Sequence, residues 1–154
     1  MEAPQPKHID AQTVACIAHT GAYSEIGGVY RRLAQWASEA AVEPASPAFT
    51  VFLEHPGDIN WDAGTFEVCL PVPQGTAGSG EVTVKQLPAA DVLAVVVEGP
   101  YEHMAAHYSE FLAWVSVEGA AVAGPPREIY LVHPSPDGSG DPASFRTEIQ
   151  FPVE

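Results

Sequence analysis

The strongest constraint on the fold is that the sequence repeats itself. When the 154-residue chain is compared with itself at an offset of 78 residues, residues 7–56 align with residues 85–134 without a gap. Both copies carry two tyrosines and a tryptophan in the same register, and both end in His-Pro. Matched aromatic residues in a gapless register indicate a duplicated structural unit. We therefore predict a single domain, residues 1–154, made of repeats at about 5–74 and 81–154 with a glycine-rich linker at 75–80.

Each copy predicts the same order of elements: strand, helix, strand, strand. Gly-Ala-Tyr at 21–23 and Gly-Pro-Tyr at 99–101 precede helices whose apolar residues recur every three or four positions. The predicted strands are Thr13–Ala18, Phe49–Glu54 and Phe66–Val72 in the first copy and Asp91–Val97, Arg127–Val132 and Thr147–Val153 in the second. We predict an α+β fold from this duplicated β-α-β-β unit. Its antiparallel-rich sheet carries two helices on one face and a ligand groove on the other.

Composition narrows the classes of partner. Twenty acidic residues against six basic ones give a formal net charge of −14, which opposes contact with a phosphate backbone. No apolar run approaches the length of a membrane span, and residues 1–10 lack the pattern of a signal peptide. We expect a cytoplasmic protein with a small-molecule ligand, without direct nucleic-acid or membrane binding.

Alternation along the strands predicts which side chains face the groove. If the apolar Ile129 and Leu131 face the helices, then Glu128 and Tyr130 face the groove. The same rule directs further side chains to the groove: Thr50, Phe52, Glu54, Glu67, Cys69, Glu148 and Gln150. The groove is thus predicted to be lined by aromatic residues and as many as four carboxylates, with some of these at solvated edges.

Glu128 is the most informative of these residues because Thr50 takes its place in the other copy. An unpaired buried carboxylate costs several kcal/mol, so it must be protonated, find hydrogen-bond donors or meet a cation. A position at the rim, or satisfaction by Arg127, Arg146 or tyrosine hydroxyls, is the structural alternative. Both interpretations stay open at this stage.

The remaining candidates are aromatic residues and histidines. Tyrosine and tryptophan rings supply cation–π faces or apolar walls. Tyr108 and Tyr30, which recur on both helices, are interpreted as core residues. His103 and His107 have the spacing of helical metal ligands but lack a third ligand at a recognisable distance, so we predict no metal and no cofactor. The predicted ligand-binding residues are Tyr23, Phe52, Trp61, Glu67, Tyr101, Met104, Glu128, Tyr130 and Glu148.

Several of these segments together resemble the GyrI-like small-molecule-binding domain. It is the effector-binding fold of AraC-type and multidrug-sensing transcription regulators. The resemblance covers residues 5–153 and rests on the helix-opening Gly-Ala/Pro-Tyr, the strand Arg127–Leu131, and the strands Phe66–Val72 and Thr147–Val153. It implies a cleft with a glutamate that meets aromatic cations in multidrug-sensing members, at the position of Glu128. No helix-turn-helix pattern is found, so we do not expect this chain to act alone as a one-component regulator.

The resemblance leaves three functions open. The first is a stand-alone protein that binds bulky apolar, cationic aromatic molecules, for drug sensing or sequestration. The alternative is a hydrolase that opens strained rings such as the cyclopropane of DNA-alkylating natural products, with Glu128 as general base or acid and Tyr130 as hydrogen-bond donor. The second alternative is a modulator that binds another protein such as a topoisomerase. Whether the chain is an enzyme is therefore undecided by its sequence.

Overall fold

The apolar patterns of the sequence form eight strands and two helices in the computed structural model, which describes residues 2–134 and 139–154. The strands are β1 (Gln5–Ile9), β2 (Gln12–Gly21), β3 (Phe49–Phe52), β4 (Gly64–Pro71), β5 (Thr83–Leu87), β6 (Ala90–Glu98), β7 (Arg127–Val132) and β8 (Arg146–Pro152). The helices are α1 (Ile26–Glu39) and α2 (Met104–Glu118). Short 3₁₀ turns precede α1, α2 and β8, at Tyr23–Glu25, Tyr101–His103 and Pro142–Ser144.

Both helices bury one face with the spacing that the sequence predicts. The buried positions are Ile26, Val29, Leu33 and Ala37 in α1, and Met104, Tyr108, Phe111 and Val115 in α2. Helix α2 ends at Gly119, whose φ of 71° is the left-handed conformation that glycine adopts without strain. Within the described ranges, neither helix is long and apolar enough to cross a membrane.

The eight strands form one sheet in the order β1-β6-β8-β7-β3-β4-β2-β5, and every neighbouring pair is antiparallel. β3 and β7 lie at the centre and join the two halves of the chain. The predicted α+β class, with an antiparallel sheet and two helices on one face, is confirmed. The edge strands β1 and β5 are additions to the predicted unit, and each pairs with a strand of the other half.

The register across the sheet determines which side chains face the helices. Val95, Ile149, Glu128, Thr50, Val68 and Ile17 are successive cross-strand partners and therefore share a face. Ile17, Val68, Val95 and Ile149 pack in the core with the helices, so this is the helix face. The predicted orientation of Glu128 and Tyr130 away from the helices is therefore wrong.

That prediction failed because it took hydrophobicity on the central strands as a marker of the helix face. Val51 belongs instead to a small cluster on the opposite face, called the outer face below, and Ile129 packs against it. Leu53 and Leu131 are 47% and 40% exposed. Both faces of the central strands are buried, and on the helix face the buried positions include Thr50 and Glu128.

The four carboxylates predicted to share one groove are separated. Glu67 and Glu148 lie on the outer face, where Glu67 pairs with Lys85 at 2.7 Å and Glu148 with Lys7 at 3.0 Å. Glu54 accepts hydrogen bonds from the backbone amides of Asn60, in the loop after β3, and of Thr65 in β4. The predicted single groove with four carboxylates is therefore wrong, and Glu128 alone of the four is fully buried.

Candidate ligand-binding site

A cavity opens on the helix face, between the 3₁₀ turns that precede the two helices. It has a volume of about 410 Å³, and Tyr130 of β7 contributes to its floor. Tyr23 and Tyr101, which occupy equivalent positions in the two halves, line opposite sides. The predicted groove between the halves thus exists, but its predicted place on the face away from the helices is wrong.

Glu128 lies beneath this cavity and is bonded by three phenols. The Tyr23 hydroxyl donates to Glu128 Oε1 at 2.7 Å, and the Tyr108 hydroxyl donates to Oε2 at 2.8 Å. The Tyr130 hydroxyl lies 3.3 Å from Oε1 and 2.7 Å from Thr50 Oγ1. A carboxylate accepts about four hydrogen bonds, so the phenols nearly satisfy it without any basic residue.

Each hydroxyl carries one proton, which fixes the direction of the hydrogen bonds around Tyr130. When the Tyr130 hydroxyl donates to Glu128, its oxygen can accept the proton of the Thr50 hydroxyl. Thr50 is the cross-strand partner of Glu128 and also the residue at the equivalent position in the first half. The two equivalent positions are thereby linked in one buried polar network.

Burial dominates the electrostatics of the network. Loss of solvent raises the pKa of Glu128 to about 7, although the hydrogen bonds from Tyr23, Tyr108 and Tyr130 lower it. Burial, followed by the charge of Glu128, raises the pKa of all three phenols well above their ordinary value. The phenols therefore remain protonated donors, and Glu128 is the group that titrates near neutral pH.

Aromatic rings hold the bonded tyrosines in place. The ring of Trp61 lies 5.1 Å from the rings of both Tyr23 and Tyr108, and Phe52 stacks on Tyr23 at 6.1 Å. The backbone carbonyl of Trp61 also accepts the amide hydrogen of Tyr23 at 2.8 Å. Phe52, Trp61 and the buried Met104 lie behind the tyrosines rather than at the cavity surface. These three residues therefore support the site and do not line its surface.

Tyr101 forms the opposite wall and is not bonded to Glu128. Its ring stacks on Phe145 at 5.2 Å and meets Tyr130 edge-on at 6.1 Å. Burial, and then the charge of Glu128, raises the pKa of Tyr101 to about 12. Tyr101 thus presents an aromatic face to the cavity, close enough to Glu128 to sense its charge.

Sequence reasoning missed several residues of the site. Tyr108 was interpreted as core packing; it is 2% exposed, yet its hydroxyl bonds Glu128. The signal was available, since a buried tyrosine hydroxyl requires a partner. Tyr30, the equivalent of Tyr108 in the first half, lines the cavity instead. The charged or titratable residues at the cavity surface are Arg31, Glu102 and His133.

Four residues predicted to face the groove lie on the outer face instead: Glu67, Cys69, Glu148 and Gln150. A hydrogen bond with Cys16 and then burial raise the pKa of the Cys69 thiol, which favours its protonated form. Among residues 2–134 and 139–154, no three histidine, cysteine or acidic side chains come together as metal ligands.

The fold and the cavity together define a class of protein: a two-helix, single-sheet domain with a tyrosine-lined cleft over one buried carboxylate. The GyrI-like small molecule binding domain family matches residues 3–154, and the chain belongs to this family. It is a small-molecule-binding domain. Among curated proteins, no sequence matches the chain.

Solved structures show the same fold. The C-terminal domain of EcmrR superposes with a TM-score of 0.80 at 24% identity, over 98% of this chain and 96% of that one. EcmrR in its DNA complex gives a TM-score of 0.86 at 24% identity, and this chain spans 57% of its length. SAV2435 bound to tetraphenylphosphonium superposes with a TM-score of 0.65 at 16% identity, over 100% of this chain and 94% of that one. A hydrolase from Listeria innocua superposes with a TM-score of 0.69 at 12% identity, over 99% of this chain and 92% of that one.

Proposed function

We propose that the chain binds bulky, largely apolar cations with aromatic groups in the 410 Å³ cavity, as a drug-sensing or drug-sequestering module. The observation that carries this proposal is Glu128, a fully buried carboxylate held by three neutral phenols directly beneath the cavity. Its hydrogen bonds leave its negative charge without a neutralising cation. A cationic ligand in the cavity supplies that charge.

The cavity walls suit such a ligand. Tyr23, Tyr30, Tyr101 and Tyr130 line it, and tyrosine faces attract cations while covering apolar surface. Arg31 and Glu102 line the cavity with opposite charges, so the buried Glu128 sets the sign of the field at the floor. The tetraphenylphosphonium complex of SAV2435, a protein of the same fold, identifies a suitable probe.

The test compares two ligands matched in size, methyltriphenylphosphonium and the neutral triphenylphosphine oxide. At an effective dielectric constant of about 20 and a separation of about 7 Å, one unit charge contributes about 2 kcal/mol, or roughly thirtyfold in affinity. Calorimetric titration of Glu128→Gln should show this loss for the phosphonium ion and little change for the oxide. Glu67→Gln, on the outer face, removes the same charge and should leave both affinities unchanged. Equal losses for both ligands would contradict the proposal.

A second candidate function is the hydrolysis of strained electrophilic rings. It is favoured by the pKa of about 7 for Glu128, which suits proton transfer near neutral pH. As general base, Glu128 would take a proton from a water that attacks the ring carbon, while Tyr130 or Tyr101 donates to the oxygen that receives the electrons. The three phenols and complete burial oppose this role, because water must first displace a donor.

Product analysis distinguishes the two functions. The chain is incubated with a cyclopropane-bearing alkylator beside its Glu128→Gln and Tyr130→Phe variants. Catalysis predicts ring-opened product with the wild type and less with both variants. Binding alone predicts the same slow background rate in all three samples.

We also propose that this function is exercised in the cytoplasm. Cys16 and Cys69 are directly opposed in the β2–β4 ladder and are both free thiols. Opposed positions of an antiparallel ladder lie within the Cα separation that a disulfide spans. In a reducing compartment such a pair stays as two thiols. Thiol counting on protein isolated from cells under alkylating conditions should find two free thiols per chain, and a disulfide would contradict the location.

A further inference from the structure

A second, smaller cavity lies on the outer face of the sheet. It has a volume of about 190 Å³ and lies over the central strands β3, β7 and β8, on the side away from Glu128. Ile9, Phe49, Ile129 and Leu131 provide apolar walls. Arg127 lies in the same cavity, one position before Glu128 in β7.

Arg127 is a buried cation without a partner among the residues that the structure describes. Its side chain lies between Val51 and Gln150, its cross-strand partners, and the residue is 8% exposed. In the described parts of the chain its Nη1 has no hydrogen-bond acceptor, and the guanidinium forms no ion pair there. Burial lowers the pKa of Arg127, but a guanidinium remains charged in proteins. An uncompensated buried charge costs several kcal/mol.

The nearby acidic groups are already engaged. Glu148 binds Lys7 at 3.0 Å and accepts a hydrogen bond from the Gln150 amide. Glu67, on the far side of Val51, binds Lys85 at 2.7 Å. Glu67 and Glu148 are thus both paired with lysines, and within residues 2–134 and 139–154 the guanidinium has no acceptor.

We propose that this outer cavity binds a small carboxylate with an apolar body, whose two oxygens accept hydrogen bonds from the Arg127 guanidinium. The planar guanidinium matches a planar carboxylate in a two-point contact. One negative charge balances the charge of Arg127, whereas a phosphate dianion would bring a second charge towards Glu148. The four apolar walls cover the body of the ligand. This site is separate from the cation site, because the sheet lies between them.

Benzoate is the probe, and saturable binding is measured by amide chemical-shift titration of the labelled protein. Benzamide tests the need for charge, and inorganic phosphate at matched ionic strength tests the class of anion. We expect saturable shifts in residues of the outer cavity for benzoate and at least tenfold weaker binding of benzamide and phosphate. No saturable binding of either anion would overturn the site, and tighter, Arg127-dependent binding of phosphate would overturn the assignment to a carboxylate.

Variants test whether the guanidinium is responsible. Arg127→Met should weaken benzoate binding at least tenfold, and Arg127→Lys should weaken it less because the charge remains while the two-point geometry is lost. Arg32→Met removes an exposed arginine paired with Glu81 and should leave the affinity unchanged. Equal affinity in the wild type and Arg127→Met would overturn the proposal. Benzoate and methyltriphenylphosphonium are titrated separately into the wild type, so failure of one site is distinguishable from failure of the other.

Discussion

Arg127 and Glu128 are neighbours in β7 and both are buried, but the protein treats the two charges differently. Glu128 faces the helices and receives hydrogen bonds from Tyr23, Tyr108 and Tyr130. Arg127 faces the other way and has no acceptor for its Nη1 within residues 2–134 and 139–154. One charge is satisfied by neutral groups, and the other is not satisfied by the described residues.

The difference arises from the hydrogen-bonding groups that each face of the sheet offers to a buried charge. The turns and helices present hydroxyl groups to the helix face, and these stabilise an anion without neutralising it. The outer face offers Arg127 only Val51 and Gln150 as cross-strand neighbours, and the Gln150 amide already donates to Glu148. A buried anion that is held only by neutral donors keeps its negative charge and attracts a cation. A buried cation without acceptors favours the binding of an acceptor from solution. The following predictions test this contrast, beginning with the largest expected effect.

Replacing Glu128 by alanine should have the largest effect. Three buried phenols lose their acceptor at once, each at a cost of about 1–3 kcal/mol, so the free energy of unfolding should fall by about 4 kcal/mol. Urea denaturation measures the change. Glu67→Ala is the matched control, because it breaks a partly exposed ion pair and should cost about 1 kcal/mol. Similar losses in both variants would contradict the role of the phenol network.

The second-largest effect should be a change in stability with pH that is caused by the ionisation of Glu128. Its pKa is raised from 4.5 to about 7, so the folded protein keeps a proton that the unfolded chain releases. The stabilising contribution is therefore complete below pH 4.5 and lost as the pH rises through about 7. Relative to Glu128→Gln, the wild type should lose about 3 kcal/mol across this interval. Parallel stability curves for the two proteins would show that Glu128 ionises normally.

Removing single phenols should have smaller, graded effects. Tyr108→Phe should destabilise the protein by about 1 kcal/mol and raise the pKa of Glu128, because a donor to the ionised form is lost. Tyr130→Phe should raise that pKa less, since its hydroxyl is 3.3 Å from the carboxylate rather than 2.8 Å. Carbon-13 NMR of the Glu128 carboxyl group measures both values, and the reverse order would contradict the distances.

Arg127→Met should have the smallest effect on the free energy of unfolding. The sign of that change tests whether Arg127 lacks an acceptor in the free protein. Removing a charge without an acceptor relieves a desolvation cost, so the free protein should change by less than about 1 kcal/mol or become more stable. Thermal unfolding without added carboxylates measures this. A loss of several kcal/mol would mean that the guanidinium is already well satisfied in the free protein.

The repeated register made the fold predictable. Matched tyrosines and tryptophans at an offset of 78 residues located both helices and three strands of each half. β1 and β5 were missed because they are short edge strands with exposed or partly buried residues, so they carry little apolar pattern. Duplication itself stays a prediction, although the strand order is the one that two equivalent units give.

The site was predicted only in part, and the reason is physical. Asymmetry singled out Glu128, but the sequence does not reveal that Thr50, its equivalent, becomes its cross-strand neighbour. That pairing places Thr50 and Glu128 on the same face of the sheet. The alternation of apolar and polar residues does not identify this face, because the central strands are buried on both sides. The nine predicted ligand-binding residues were therefore divided between the two faces, and their binding role stays a prediction.

The exchange of edge strands has a consequence for how the chain folds during synthesis. Gln5 pairs with Ala94 and Ile9 with Ala90, so β1 has no partner until the ribosome has made residues 90–94, early in the second half. At about 10 residues per second, β1 waits for roughly 10 seconds. β5 joins β2 of the first half as soon as it emerges, and the last strand to arrive, β8, then connects β6 to the central β7. Neither half therefore completes its sheet alone, and folding is cooperative over the whole chain.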